Sequence, residues 1–167
     1  VCDMMTGIHL YAATVTALLD RERTGRARAV EVAMLEATYP SFASNIGQLY
    51  GISGEYQPRT GNRHGGKSLA PYNVYRAKDG YLALVANNDE HWRRIVQYFG
   101  QPWACDDPRF RDVRARVANE DELDRLIESW TITQGKEALF QGLTAAGVPC
   151  APVRELPEVI ADSHLHA

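Results

Sequence analysis

The stretch from Asp3 to Met34, DMMTGIHLYAATVTALLDRERTGRARAVEVAM, constrains the chain more than any other. Ile8, Ala12, Val15 and Leu19 recur at helical spacing with Tyr11 and Leu18 beside them, the pattern of a helix buried along one apolar stripe. Thr6 is placed to cap its start, and Thr24 with Gly25 to end it, because glycine takes the left-handed conformation that closes a helix. Ala29 to Met34 then reads as a short strand returning beside the helix. Helix, turn and strand make half of a βαβ unit, so this part predicts an α/β fold.

Asp3 falls just before that helix, where unpaired amides and the positive end of the dipole favour an ionised carboxylate. Such a group can serve as a nucleophile or a base. It can equally do no more than cap the helix, and spacing does not separate the two. At the other end Arg21, Arg23, Arg26 and Arg28 cluster. Their planar donor forks suit phosphates, although a solvated helix end accounts for them as well.

Leu35 to Tyr50 repeats the helical pattern, with Pro40 expected to kink it or mark a first turn. From Gly51 to Ala70 periodicity vanishes among Gly, Pro, Arg and Asn, which predicts a linker or functional loop. Within it, Gly65 and Gly66 would let backbone amides approach an anion closely, and His64 could hydrogen-bond a substrate; an ordinary flexible linker has the same composition. Tyr72 to Arg76 and Tyr81 to Val85 flank Asp79 and Gly80, a β-hairpin signal. Asn88 or Asp89 can cap a helix carrying Trp92, Ile95, Val96 and Phe99. Trp103 to Ala118 reads as irregular. Asn119 and Glu122 suggest a capping box before Leu123, Leu126, Ile127 and Trp130, and a further helix is expected from near Thr133 to Gly147. Val148 to Val153, twice interrupted by Pro, suits an edge strand or a crossing linker.

The formal net charge of −3 argues against a nucleic-acid binder. No apolar run is long enough for a transmembrane helix, and Val1 to Leu19 lacks the marks of a signal peptide, so no membrane partner is expected. Cys2, Cys105 and Cys150 are odd in number and far apart, which fits reduced thiols in the cytoplasm, and no pair has zinc-ligand spacing, so no metal is expected.

The run from Asp3 through Thr24, Gly25 and Arg26 to Glu31-Val32-Ala33-Met34 resembles the class III CoA-transferases, a family that includes formyl-CoA transferase, carnitine CoA-transferase and α-methylacyl-CoA racemase. The resemblance continues through Arg59 to His64, Ala70-Pro71-Tyr72, Asp79-Gly80-Tyr81, Asp107 to Phe110 and Ala146 to Cys150, and so covers nearly the whole chain. Where the family usually carries Gly and Gln, this chain has Ala27 and Arg28.

The resemblance implies a catalytic Asp3, an active-site loop at His64, Gly65 and Gly66, and a CoA pocket with Met34, for which Arg26 and Arg28 are also candidates. It implies coenzyme A as acyl-CoA substrate, a carboxylic acid as its acceptor, and a homodimer interlocked when full length. The expected fold is the end of a Rossmann-like large domain over residues 1–50, a linker with the glycine loop over 51–70, a small α+β domain with an antiparallel hairpin and helices over 71–147, and a return linker over 148–167. A candidate nucleophile at the third position, and a tail at Ala161 to Leu165 that continues in the family, lead us to expect a fragment, inactive alone. Three activities fit: CoA transfer through an aspartyl intermediate, racemisation of an α-methylacyl-CoA with Asp3 as one of two bases, and a non-catalytic CoA-binding or assembly module.

Overall fold

In a computed structural model, which describes residues 1–51 and 56–166, the chain divides into two units, Val1–Tyr56 and Gln57–Ala167. Residues 52–55 of the expected linker, and Ala167, lie outside the described residues.

The first unit is helical. Helix α1, Cys2–Thr24, closes on Gly25, whose φ of 72° and hydrogen bond to the Arg21 carbonyl make the expected left-handed cap. Its start differs from expectation. Thr6 lies inside the helix, its hydroxyl bonded to the Cys2 carbonyl, and Asp3 belongs to the first turn instead of preceding it. The apolar stripe is uncovered, since Ile8, Tyr11, Val15, Leu18 and Leu19 are all exposed. The half-buried positions are Met5, Thr6, Ala13, Ala17 and Asp20, and the small Ala13 and Ala17 let a neighbouring backbone come close.

That neighbour is the segment 26–33, which is not the expected strand. A strand requires a hydrogen-bonded partner, and the described residues of this unit supply none. The segment instead returns as an unladdered chain, with Val30 and Val32 half-buried and Glu31 between them exposed. Helix α2, Met34–Thr38, follows, then a 3₁₀ turn at Tyr39–Phe42 with Pro40 as its second residue, then α3, Ala43–Gly51. Of the two outcomes expected at Pro40, a kink or a first turn, the structure shows the first turn, at a change of helix type.

The second unit is a three-stranded antiparallel sheet, β1 Tyr72–Ala77, β2 Gly80–Val85 and β3 Cys150–Pro152, in the order β1-β2-β3. The hairpin at Asp79 and Gly80 forms as expected, and β3 is an edge strand. Alternation buries Tyr75 and Ala77 on β1 and Leu82 and Leu84 on β2. Against that face pack α4, Asp89–Tyr98, through Trp92, Ile95 and Val96; α6, Glu120–Thr131, through Leu123 and Ile127; and α7, Lys136–Ala145, through Leu139 and Leu143. Asn88 caps α4, its side chain accepting from the His91 amide at 2.8 Å. The hairpin tip caps α7, because Asp79 accepts from the Lys136 amide at 2.7 Å.

Two expectations are corrected here. Residues 103–118 are partly regular, with a 3₁₀ turn at Pro102–Cys105 and helix α5 at Val113–Ala118, capped by Asp112. No capping box forms at Asn119, whose amide donates back to the Ala115 carbonyl while Glu122 pairs with Arg109. Helix α8, Leu156–Ile160, follows β3 and does carry a capping box, between Glu155 and Glu158. Among the described residues no helix is long and apolar enough to cross a membrane.

Arg116 on α5 is fully buried, yet charged and satisfied. It donates to the carbonyls of Ala70 at 2.7 Å and Phe110 at 3.0 Å and to Asp89 at 2.7 Å, with its guanidinium beside the Trp92 ring. Burial lowers its pKa from the ordinary value, and the hydrogen bond and charge of Asp89 oppose that shift. Removing one member of a buried pair leaves its partners unsatisfied. Arg116→Met should therefore cost about 3 kcal/mol, the low end for such a loss because Asp89 is half-exposed and can rehydrate. Urea denaturation followed by tryptophan fluorescence reads this directly, since Trp92, Trp103 and Trp130 all lie in the second unit.

Candidate active site

Carboxylate chemistry at a helix start depends on which amides the carboxylate meets. Asp3 is exposed in the first turn of α1, and its Oδ1 accepts from the Met4 amide at 2.8 Å. That bond uses one of the amides a helix start leaves unpaired, and it leaves the other carboxylate oxygen turned to solvent chemistry. Met34, at the other end of the returning segment, opens α2 and shares a small apolar hollow of about 180 Å³ with Cys2, Leu35, Thr38 and Phe42. The structure therefore brings the neighbourhood of Asp3 together with Met34.

Arg26 and Arg28 are not part of that group. They lie past Gly25, about 30 Å of helix away from Asp3. Arg28 donates to Asp20 at 2.5 Å, and with Arg21, Thr14, Ala17 and Val30 it lines a separate hollow of about 280 Å³. Arg26 is exposed.

His64, Gly65 and Gly66 belong to the second unit. They form a β-turn closed by the Lys67 amide on the His64 carbonyl at 3.0 Å, directly after a turn in which the Arg63 amide meets the Thr60 carbonyl at 3.2 Å. Gly66 is buried and Gly65 half-buried. The His64 ring lies edge-on to Tyr72, 5.3 Å between centroids, and its Nδ1 is 3.2 Å from the Ser68 hydroxyl.

Sequence reasoning missed the polar cluster behind this turn. Arg63 donates through Nε to Asp124 at 2.8 Å, and its Nη2 lies 2.6 Å from Asp124 and 2.7 Å from Asp121. Asp124 also accepts from Asn73 at 2.9 Å and from the Tyr75 hydroxyl at 2.7 Å. Lys67 reaches Glu120 at 2.5 Å. Burial, and then the Asp124 charge, push the Tyr75 phenol well above its usual range and keep it a donor. Burial works against the Arg63 charge, but its hydrogen bonds to Asp121 and Asp124 prevail and raise it. The signal available was the opposition of a basic loop to the acidic run Glu120, Asp121, Glu122 and Asp124 at a helix start.

A sequence model described as CoA-transferase family III matches residues 1–167. The chain belongs to this family. Among curated relatives of this family III chain, a succinate–glutarate CoA-transferase from Agrobacterium fabrum is 32% identical over 100% of this chain and 41% of its own length. A succinyl-CoA:mesaconate CoA-transferase from Haloarcula hispanica is 32% identical over 98% of this chain and 40% of its own. The chain thus spans about two fifths of the curated relatives it matches. A solved CAIB/BAIF family protein from Brucella suis superposes with a TM-score of 0.75 at 30% identity, covering 99% of this chain and 43% of that one. A hypothetical protein from Mycobacterium tuberculosis gives 0.78 at 25% identity, with the same coverage. In this family III chain, the described residues contain no cluster of side chains that could hold a metal ion.

The cluster behind the turn makes a pH prediction. Its hydrogen bond from Arg63 holds the Asp121 carboxyl below the usual range, so the folded state binds fewer protons there than the unfolded one. The stabilisation is present at neutral pH and is lost as pH falls from about 4 through the lowered value. The urea midpoints of the parent chain and Asp121→Asn should differ at neutral pH and converge as pH falls below the ordinary carboxylate range, read by tryptophan fluorescence.

Proposed function

We propose that this chain carries the nucleophile and the glycine turn of an enzyme that moves CoA between carboxylic acids, Asp3 being the nucleophile. The observation that carries the reading is the whole-chain match to CoA-transferase family III, with Asp3 as an exposed first-turn carboxylate on α1. An Asp3 oxygen attacks the thioester carbon of the donor acyl-CoA, the C–S bond breaks, and CoA leaves as a thiolate from a mixed anhydride. The thiolate attacks the aspartyl carbon of the anhydride, giving an aspartyl-CoA thioester and releasing the donor as its free carboxylate. The acceptor carboxylate attacks the aspartyl-CoA thioester carbon, forming a second anhydride with Asp3 and expelling CoA thiolate. Attack of the thiolate on the acceptor's acyl carbon gives the new acyl-CoA and returns Asp3 to its starting state. Amides of the Gly65 and Gly66 turn serve the developing oxyanions, and His64 hydrogen-bonds substrate.

Short dicarboxylates are the proposed acids, on the strength of the names of the relatives described above. Those relatives are transferases, and the racemase alternative is not carried forward. Met34 lines the CoA pocket, with Arg26 and Arg28 as candidate phosphate partners further along the unit. The Rossmann-like large domain, the interlocked homodimer, a cytoplasmic setting and the division of this chain at residues 50, 70 and 147 are further parts of the same proposal.

With the intact protein, succinyl-CoA and glutarate or mesaconate, mass spectrometry should find CoA covalently attached to Asp3. Asp3→Asn should lower turnover by about a thousandfold or more, the scale on which removing a covalent nucleophile acts. Activity within a few-fold of the parent would refute Asp3 as nucleophile.

A further inference from the structure

We infer that Arg63 and Lys67 are positioning residues that hold the His64-Gly65-Gly66 turn in its working place by gripping the start of α6 on both sides of it. The inference deepens the proposed role of that turn and rests on it. A turn made of glycines has no side chains with which to fix itself, and this one sits in a stretch, residues 56–71, with no regular structure. Its position must come from its neighbours.

Those neighbours are tied down unusually well. Arg63 is the last residue of the Thr60 turn and Lys67 the last of the His64 turn, so the two cations bracket the glycines. Arg63 binds Asp124 and Asp121, and Lys67 binds Glu120, so both anchors sit on the first two turns of one helix, 53 to 61 positions away in sequence. Asp124 is itself fixed by Asn73 and Tyr75 on β1, which carries the anchor into the sheet. The arginine's planar fork, reaching two carboxylates at once, fixes direction as well as distance.

Stability alone gives little reason for this arrangement. Acidic residues at the start of α6 are already favoured by the helix dipole and need no arginine. Ion pairs this far from solvent gain little net energy over apolar packing, because desolvation offsets attraction. Lys67 moreover has a φ of 48°, left-handed backbone that a non-glycine residue adopts at a cost of about 1 kcal/mol. A glycine would take that conformation freely, so the lysine is present for its side chain, which reaches Glu120.

The test uses the intact protein with succinyl-CoA and glutarate or mesaconate, comparing Arg63→Ala, Arg63→Lys, Lys67→Gly and the double variant Gly65→Ala/Gly66→Ala. Misplacing a group near the chemistry costs turnover more than binding, so Arg63→Ala should lower kcat about tenfold or more while KM for succinyl-CoA stays within about threefold. Arg63→Lys should recover part of the loss. Lys67→Gly should also lower kcat with KM for succinyl-CoA little changed; it relieves the backbone strain but leaves the buried Glu120 carboxylate without its lysine, so the urea midpoint falls as well. If the glycine variant is slow but Arg63→Ala and Lys67→Gly keep the parent kcat, the positioning role is overturned and the turn's role stands. If the glycine variant keeps the parent kcat, the turn's role fails and the positioning role with it. Should Arg63→Ala not fold, Lys67→Gly decides alone, assayed where tryptophan fluorescence shows it folded: a lowered kcat with KM for succinyl-CoA within about threefold of the parent supports the inference, and an unchanged kcat overturns it.

Discussion

The second unit depends on one buried charge. Arg116 reaches three separate stretches at once: the Ala70 carbonyl at the entry to β1, the Phe110 carbonyl in the irregular stretch before α5, and Asp89 in the first turn of α4. A fully buried guanidinium has five donors to satisfy, and only a particular arrangement of those stretches supplies enough acceptors. The interaction therefore selects geometry more than it adds stability. It fixes where the chain enters the sheet, and with that the end of the loop that carries the glycine turn.

From that anchored entry the polar cluster extends the same principle toward solvent. Asp124 collects donors from the loop, through Arg63, and from β1, through Asn73 and Tyr75. Sheet, helix and loop share one carboxylate. Apolar packing of Tyr75, Leu123 and Ile127 sets the distance between β1 and α6, and the hydrogen bonds at Asp124 set their register.

The first unit obeys a different constraint. Its long helix has one face of small residues, Ala13 and Ala17, against which the backbone returns, and that return carries Met34 to the hollow it shares with Cys2. The covered face is not the one hydrophobicity selects. Periodicity ranks faces by apolar content, whereas close backbone approach needs small side chains, and the two criteria chose different sides of α1.

Local chemistry was legible in the sequence wherever a feature depends on neighbours a few positions away. The left-handed cap at Gly25, the hairpin at Asp79 and Gly80, the Asn88 cap and the buried triad of Trp92, Ile95 and Val96 are all of this kind. The family resemblance was equally legible, because motif order along the chain survives without any coordinates. Ala29 to Met34 has the composition of a strand but no ladder partner among the described residues, and Asn119 has the signature of a capping box but turns its amide to Ala115. Arg63 meeting Asp124, or Arg116 meeting Ala70, joins positions dozens of residues apart, and no local rule says which of many charges will be neighbours. Sequence determined which residues could form helices and turns; tertiary structure alone decided which charges are buried together, because that choice is made by the packing of whole elements.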